Sequence, residues 1–239
     1  ADKYAGRGTY AAEVIFHEVA KAYPALPVTV APIAADIDPA WTGTLKSQQI
    51  ARSLFALPNV EPATHTYTHP FEWVYFGHGY RAERELAFIK QYAKVRIAPG
   101  IKSPADAAST KLKHGYDAPR AYGDIPFTLR REIDASVAYI NSFCPPGKRV
   151  RLVQWSGDTS PSQQTVGAVT KSGLLNLNGR DTRFDGDTPS YSAVSPIGKL
   201  AGNARQISAS HANENVYTDL WKGRFFGFRY LKTSLANTE

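Results

Sequence analysis

Methionine is absent from the 239 residues, and cysteine occurs once, as Cys144. One thiol forms no internal disulfide and builds no cysteine-based metal cluster. It leaves the redox compartment open, because extracytoplasmic proteins also do without disulfides. No apolar run approaches the roughly 20 residues that a membrane-spanning helix needs. A Gly-Lys-Ser/Thr phosphate loop, a G-x-G-x-x-G turn after a strand and a G-x-S-x-G elbow are all missing, which argues against nucleotide folds and serine-elbow hydrolases. Acids are the scarcer charge, 21 against 28 Lys and Arg, for a net +7. The basic residues are scattered, with RREID and GKRVR the tightest groups. A nucleic-acid surface needs a basic stripe interleaved with exposed aromatics, so no nucleic-acid partner is expected. The excess reads as a solvated surface, with an anionic polymer as the weaker alternative.

The lack of an initiator methionine goes with an opening, ADKYAGRGTY, that is polar and shows no strand before the first helix. The expectation is that residues carrying a first strand precede Ala1. The remaining composition, 43% hydrophobic and 21% charged, is that of a folded globular chain. With no repeat and no linker, residues 1–239 are expected to form one domain.

Periodicity predicts helices over 9–23, with Val14, Ile15, Val19 and Ala22 on one face, over 44–56, with Ile50, Leu54 and Leu57 inward, and over 80–95, 128–143 and 162–173. Strand-like runs are LPVTVAPIA, NVEPATHTYTHP, RVRLVQW, LLNLNG and ARQISAS. The C-terminal RFFGFRYLKTSLANT is expected to be helical. Residues 97–124 read as a long excursion or lid, a length uncommon without a functional reason. Strand and helix alternate, and several strands are apolar on both faces, as in a parallel sheet covered by helices. A closed or distorted (β/α) barrel is the expected α/β fold, with chemistry on loops at the carboxyl ends of the strands.

The densest chemistry is THTYTHP, which sets His65 and His69 four positions apart before Pro70. On an extended strand they lie roughly 13 Å apart and share nothing. If the chain turns helically after His65, the Cβ atoms of the pair lie about 6 Å apart and both rings reach one metal ion. Binding then weakens as pH falls through the imidazole range near about 6.5. The plainer alternative is two unrelated polar histidines at a strand end. The glutamate of the zinc-protease HExxH motif is absent.

HTYTHP resembles the second motif of the polysaccharide deacetylases, carbohydrate esterase family 4, in which a His-Ser/Thr-x-x-His pair holds a divalent metal. ARSLFALPNVEPATHTYTHPFEW, GKRVRLVQWSGD, GLLNLNGRDT and NENVYTDLW…GFRY are similar, in order, to one branch, the deacetylase domain of the bacterial Pel exopolysaccharide protein and its relatives. Together these segments span about 50 to 230. The resemblance implies a distorted (β/α) barrel, a metal held by Asp-His-His, and removal of N-acetyl groups from an N-acetylhexosamine polysaccharide. It implies His65 and His69 as ligands of zinc, with cobalt or nickel as alternatives. It also implies a periplasmic or extracellular setting in exopolysaccharide and biofilm metabolism. The chain is expected as a monomer, or as one part of a larger multidomain protein or secretion complex. The family's first motif, a strand ending in two aspartates that supply the third ligand and the base, is not seen and is expected upstream of Ala1. Asp36 and Asp38 in AADIDP follow the second strand and read as a turn or helix-entry signal.

In WSGDTSP, Trp155 and Asp158 are either a buried indole followed by a capping acid, or a sugar-stacking wall and an acid that orients a catalytic partner. In SHANENVYT, His211 or Glu214 is the candidate that protonates the leaving amine; the alternative is a structural role for each. Asp181 and the acids of FDGDT read as turn residues, His17 as structural, and His78 and His114 as loop residues. Two other functions stay open: a non-catalytic barrel that binds a polymer or protein partner, and a metal-dependent esterase or other amidase.

Overall fold

The polar opening does hold a strand. β1 (Lys3–Tyr4) pairs antiparallel with β2 (Thr9–Tyr10). Both belong to a computed structural model that describes residues 3–4, 9–87, 118–123, 125–177, 190 and 198–207. Helix α1 (Ala11–Ile15) follows β2 directly and widens into a π-helical turn, Phe16–Ala20. The extra residue in that turn rotates the positions after it about the helix axis. Val19 and Ala20 are therefore buried, whereas Ala22, predicted on the apolar face, is exposed.

The chain continues as β3 (Val28–Val30), a single helical turn α2 (Ala34–Ile37), helix α3 (Leu45–Ala56) and β4 (Val60–Pro62). Thr44 caps α3: its hydroxyl accepts from Ser47 N at 3.0 Å, and Ser47 Oγ accepts from Thr44 N at 2.8 Å. Such a cap stabilises by about 1 kcal/mol. A helical run occupies 82–87. A π-helical turn, Arg131–Ala135, leads into α4 (Ser136–Asn141). Then come β5 (Leu152–Gln154), α5 (Gln163–Lys171), β6 (Leu175–Leu177), β7 (Gly198–Ala201) and β8 (Ala204–Ile207).

β3 and β4 run parallel with Val28 opposite Val60, and β5 and β6 run parallel with Leu152 opposite Leu175. Backbone bonds beyond β4 join the two pairs: Thr64 N donates to Leu152 O at 3.0 Å, and Gln154 N donates to Thr64 O at 2.8 Å. The result is a parallel arc in chain order, β3-β4-β5-β6. β7 and β8 form an antiparallel hairpin, tied to the arc where Asn176 Nδ2 donates to Arg205 O at 2.9 Å. Among the described residues the strands do not close into a barrel. No described helix is long and apolar enough to cross a membrane.

Two apolar clusters cover the arc. In one, Ile50, Leu54 and Phe55 of α3 pack with Val60, Ile140 and Phe143. In the other, Val166 and Val169 of α5 pack with Ile133, Val153, Trp155 and Trp73. The stripe predicted for α3 thus faces the arc, and the carboxyl ends of β3, β4 and β5 open into one cluster of loops.

Candidate functional site

The loop after β4 carries both histidines. It starts as strand, since His65 N donates to Pro32 O at 3.1 Å. It then curls without a helical turn. Thr66 (φ 71°) and His69 (φ 54°) are both left-handed, a conformation uncommon for any non-glycine and an outlier for a β-branched threonine. Each such residue costs on the order of 1–3 kcal/mol and persists only when its surroundings over-determine it.

They do. Thr66 O accepts from Ala34 N at 3.0 Å and Tyr67 O from Ala35 N at 3.1 Å, both donors in α2. Thr68 O accepts from Tyr122 N at 3.2 Å and His69 O from Ala121 N at 3.1 Å. Pro70 O accepts from Ser156 Oγ at 2.5 Å. Every carbonyl from Thr66 to Pro70 is therefore engaged. Residues 118–123, the end of the predicted excursion over 97–124, are buried against this loop and form part of its wall. The rest of that excursion lies outside the described residues.

The curl brings the two imidazoles to a centroid separation of 4.8 Å with a 47° tilt. An ion held by both rings at about 2.0–2.1 Å lies about 3.2 Å from each centroid, so ligand angles of roughly 90–109° need centroids about 4.5–5.2 Å apart. The observed separation falls inside that window. His65 Nδ1 lies 2.9 Å from Gln154 O. A carbonyl only accepts, so Nδ1 carries the proton and Nε2 is the acceptor nitrogen of the ring. His69 is buried, and its ring meets Phe71 edge-on at 4.8 Å. The pair thus fits two positions of a metal site. Among the described residues no third His, Cys, Asp or Glu joins them.

Below the loop lies a buried charged network. Glu132 sits in the π-helical turn and is fully buried. Its Oε2 accepts from Tyr67 N at 3.1 Å and Thr68 N at 2.8 Å, and its Oε1 accepts from Thr68 Oγ1 at 2.6 Å. Burial pushes this carboxyl above the usual range, against the opposing pull of Thr68, Arg120 and the Tyr67 amide. Thr68 Oγ1 in turn accepts from Arg120 Nη1 at 3.3 Å. Arg120 forks onto Glu85, Nε to Oε1 at 2.6 Å and Nη2 to Oε2 at 3.0 Å, and also donates to Ile125 O. Tyr80 OH donates to Glu85 Oε2 at 2.5 Å.

Burial and the bond to Glu85 push Tyr80 up to about 12, and burial likewise raises Tyr67, Tyr75 and Tyr139. A tyrosine whose folded pKa exceeds its unfolded value near about 10 stabilises the fold fully below about pH 10. That contribution is lost as pH rises through the folded value. Stability is thus expected to hold up to about pH 10 and then to decline toward about pH 12, with these phenols ionising late. Urea midpoints and tyrosinate absorbance, followed together across that range, check it.

Trp155 is fully buried, and its Nε1 donates to Asn176 Oδ1 at 2.9 Å. Its ring meets Trp73 edge-on at 5.1 Å. It is a core residue beneath the loops and offers no open face for stacking on a sugar. Asp158 caps backbone: Oδ1 accepts from Trp73 N at 3.1 Å and Ser160 N at 3.0 Å, and Oδ2 accepts from Val74 N at 3.4 Å. Together with Asp158 N donating to Phe71 O at 2.8 Å, it clamps the segment that leaves the histidine loop. Gly157 makes the close approach. Its φ is +56°, and a Cβ there would lie 2.0 Å from Phe71 O. Gly157→Ala is expected to lower stability by more than about 1–3 kcal/mol, strain and clash combined, read as a lower urea midpoint.

Asp36 and Asp38 flank the loop and anchor aromatic side chains. Asp36 accepts from Tyr122 OH, and Asp38 Oδ2 accepts from Tyr67 OH at 2.5 Å. His211, Glu214 and Asp181 lie outside the described residues. Sequence reasoning passed over Glu132, Glu85 and Arg120. For Glu132 a signal existed: with Ser136 and Ile140 it forms a stripe at four-residue spacing, and all three are buried. No protein-family profile, curated protein or solved structure matches this chain.

Proposed function

We propose that the chain is a metal-dependent hydrolase that removes N-acetyl groups from an N-acetylhexosamine polysaccharide. The observation that carries the reading is the His65–His69 pair, 4.8 Å between ring centroids at the end of a parallel strand. The ordered motif resemblance supplies the reaction and substrate class. His65, through Nε2, and His69 would hold the ion, with zinc the first choice and cobalt or nickel as alternatives. A bound divalent ion supplies Lewis acidity toward the acetamide carbonyl and lowers the pKa of water.

The chain's own residues position the pair and serve the leaving group. Gln154 O fixes the tautomer of His65, and the bonds to Thr66–Pro70 fix the loop. Asp158 holds the neighbouring loop against it. His211 or Glu214 is the proposed proton donor to the leaving amine. The (β/α) barrel belongs to the same proposal, supported by the sequential order of the parallel arc. The test is acetate release from a poly-N-acetylhexosamine with Zn²⁺, Co²⁺ or Ni²⁺ supplied. Release is the expected result. Retention of the polymer without release under all three metals overturns the catalytic reading in favour of binding. Release from O-acetylated polymer alone overturns it in favour of an esterase.

A further inference from the structure

We infer that Glu132 is a positioning residue for the histidine pair. Its carboxylate holds Tyr67 N, Thr68 N and Thr68 Oγ1, the central links between the two left-handed residues that turn His69 back toward His65. The inference deepens the proposed metal function and rests on it for the role, though not for the geometry.

The physical case is one of cost and compensation. Thr66 at φ 71° and His69 at φ 54° are uphill conformations. The chain between them, Tyr67 and Thr68, presents two N–H groups toward the interior, and an unpaired buried N–H is expensive. Glu132 Oε2 takes both, at 3.1 and 2.8 Å. Thr68 is fully buried, so its N–H has no water to turn to. The π-helical turn carries the carboxylate there, with Glu132 and Ile133 on its buried side. A buried acid in a helix gains nothing for the core by itself. Its bonding directions all lead to the histidine loop, so its effect falls on where the imidazoles sit. Its side-chain hydrogen bonds among the described residues go to Tyr67 and Thr68.

Glu132→Ala leaves both amides unpaired, whereas Glu132→Gln keeps an amide oxygen for them and an NH₂ group for Thr68 Oγ1. Two readouts separate position from stability. In the metal-free protein, the nuclear Overhauser effect between the His65 and His69 ring protons reports their proximity directly. In the metal-loaded protein, Zn²⁺ titration reports affinity. In Glu132→Ala the ring-to-ring Overhauser signal is expected to vanish and affinity to fall about 10–100-fold. In Glu132→Gln both should be largely retained. Where Glu132→Ala does not fold, Glu132→Asp, which retracts the carboxylate by one methylene, takes its place with the same expected effect. An unchanged Overhauser signal and unchanged affinity in a folded Ala or Asp variant overturn the inference. If the wild-type protein binds no Zn²⁺ but the proximity of the rings depends on Glu132, the metal reading fails and the positioning role stands.

Discussion

Removing either imidazole is expected to abolish high-affinity divalent-metal binding and acetate release together, with the fold left intact. Each ring is one of the two proposed ligands, and no third His, Cys, Asp or Glu joins them among the described residues, so the loss should exceed the roughly 10–100-fold typical of supporting residues. The fold should survive because backbone groups hold the loop: Ala34, Ala35, Ala121 and Tyr122 all bond to carbonyls that an alanine side chain leaves in place. His65→Ala is the simple case. At position 69 the residue is left-handed, which asparagine tolerates better than alanine, so His69→Asn isolates ligand loss from backbone strain. Calorimetric Zn²⁺ titration and urea midpoints, measured on the same samples, check both halves. Tight binding by either variant contradicts the assignment.

The largest effect on stability is expected at Arg120. Its guanidinium and the Glu85 carboxylate are fully buried and 2.6 Å apart. Arg120→Ala leaves Glu85 with Tyr80 as its remaining described hydrogen-bond donor and takes a donor from Thr68 and from Ile125 O. Breaking a buried pair this way costs about 3–5 kcal/mol, because the orphaned charge stays desolvated. For a chain of this length that corresponds to a melting-point drop of roughly 6–20 °C. Replacing both partners, Arg120→Met with Glu85→Leu, should recover much of the loss, since the double change removes the buried charge altogether. A single-variant loss under about 1 kcal/mol is the contrary result. Metal affinity should fall in Arg120→Ala as well, because Thr68 links this pair to the histidine loop.

The parts of this architecture that follow from local pattern were legible in the sequence. LPVTVAPIA, NVEPATHTYTHP, RVRLVQW and LLNLNG supplied parallel strands in chain order, whereas ARQISAS supplied one strand of an antiparallel hairpin, and Ile50 with Leu54 faced inward as their spacing required. The histidine pair was legible too, as a strand end with a four-residue spacing. The means of its curl was not. A left-handed Thr66 opposes local preference and exists because α2, residues 121–122 and Glu132 impose it from distant parts of the chain. The two π-helical turns have no compositional mark, and the first displaced the predicted face of α1 at Ala22. The two readings of Trp155 could not be separated by alternation alone, since buried and groove-lining indoles follow a strand equally well. Burial decides for the core. The described strands form an arc, and barrel closure belongs to the functional proposal.

The central claim is that His65 and His69 share one ion. X-ray absorption on the Zn²⁺-loaded protein tests it most directly. The account predicts one tightly held zinc per chain, with outer-shell scattering from two imidazoles whose nitrogens lie at about 2.0–2.1 Å, reduced to one imidazole in His65→Ala. Zinc that shows no imidazole scattering, or the same scattering in wild type and in His65→Ala, contradicts it.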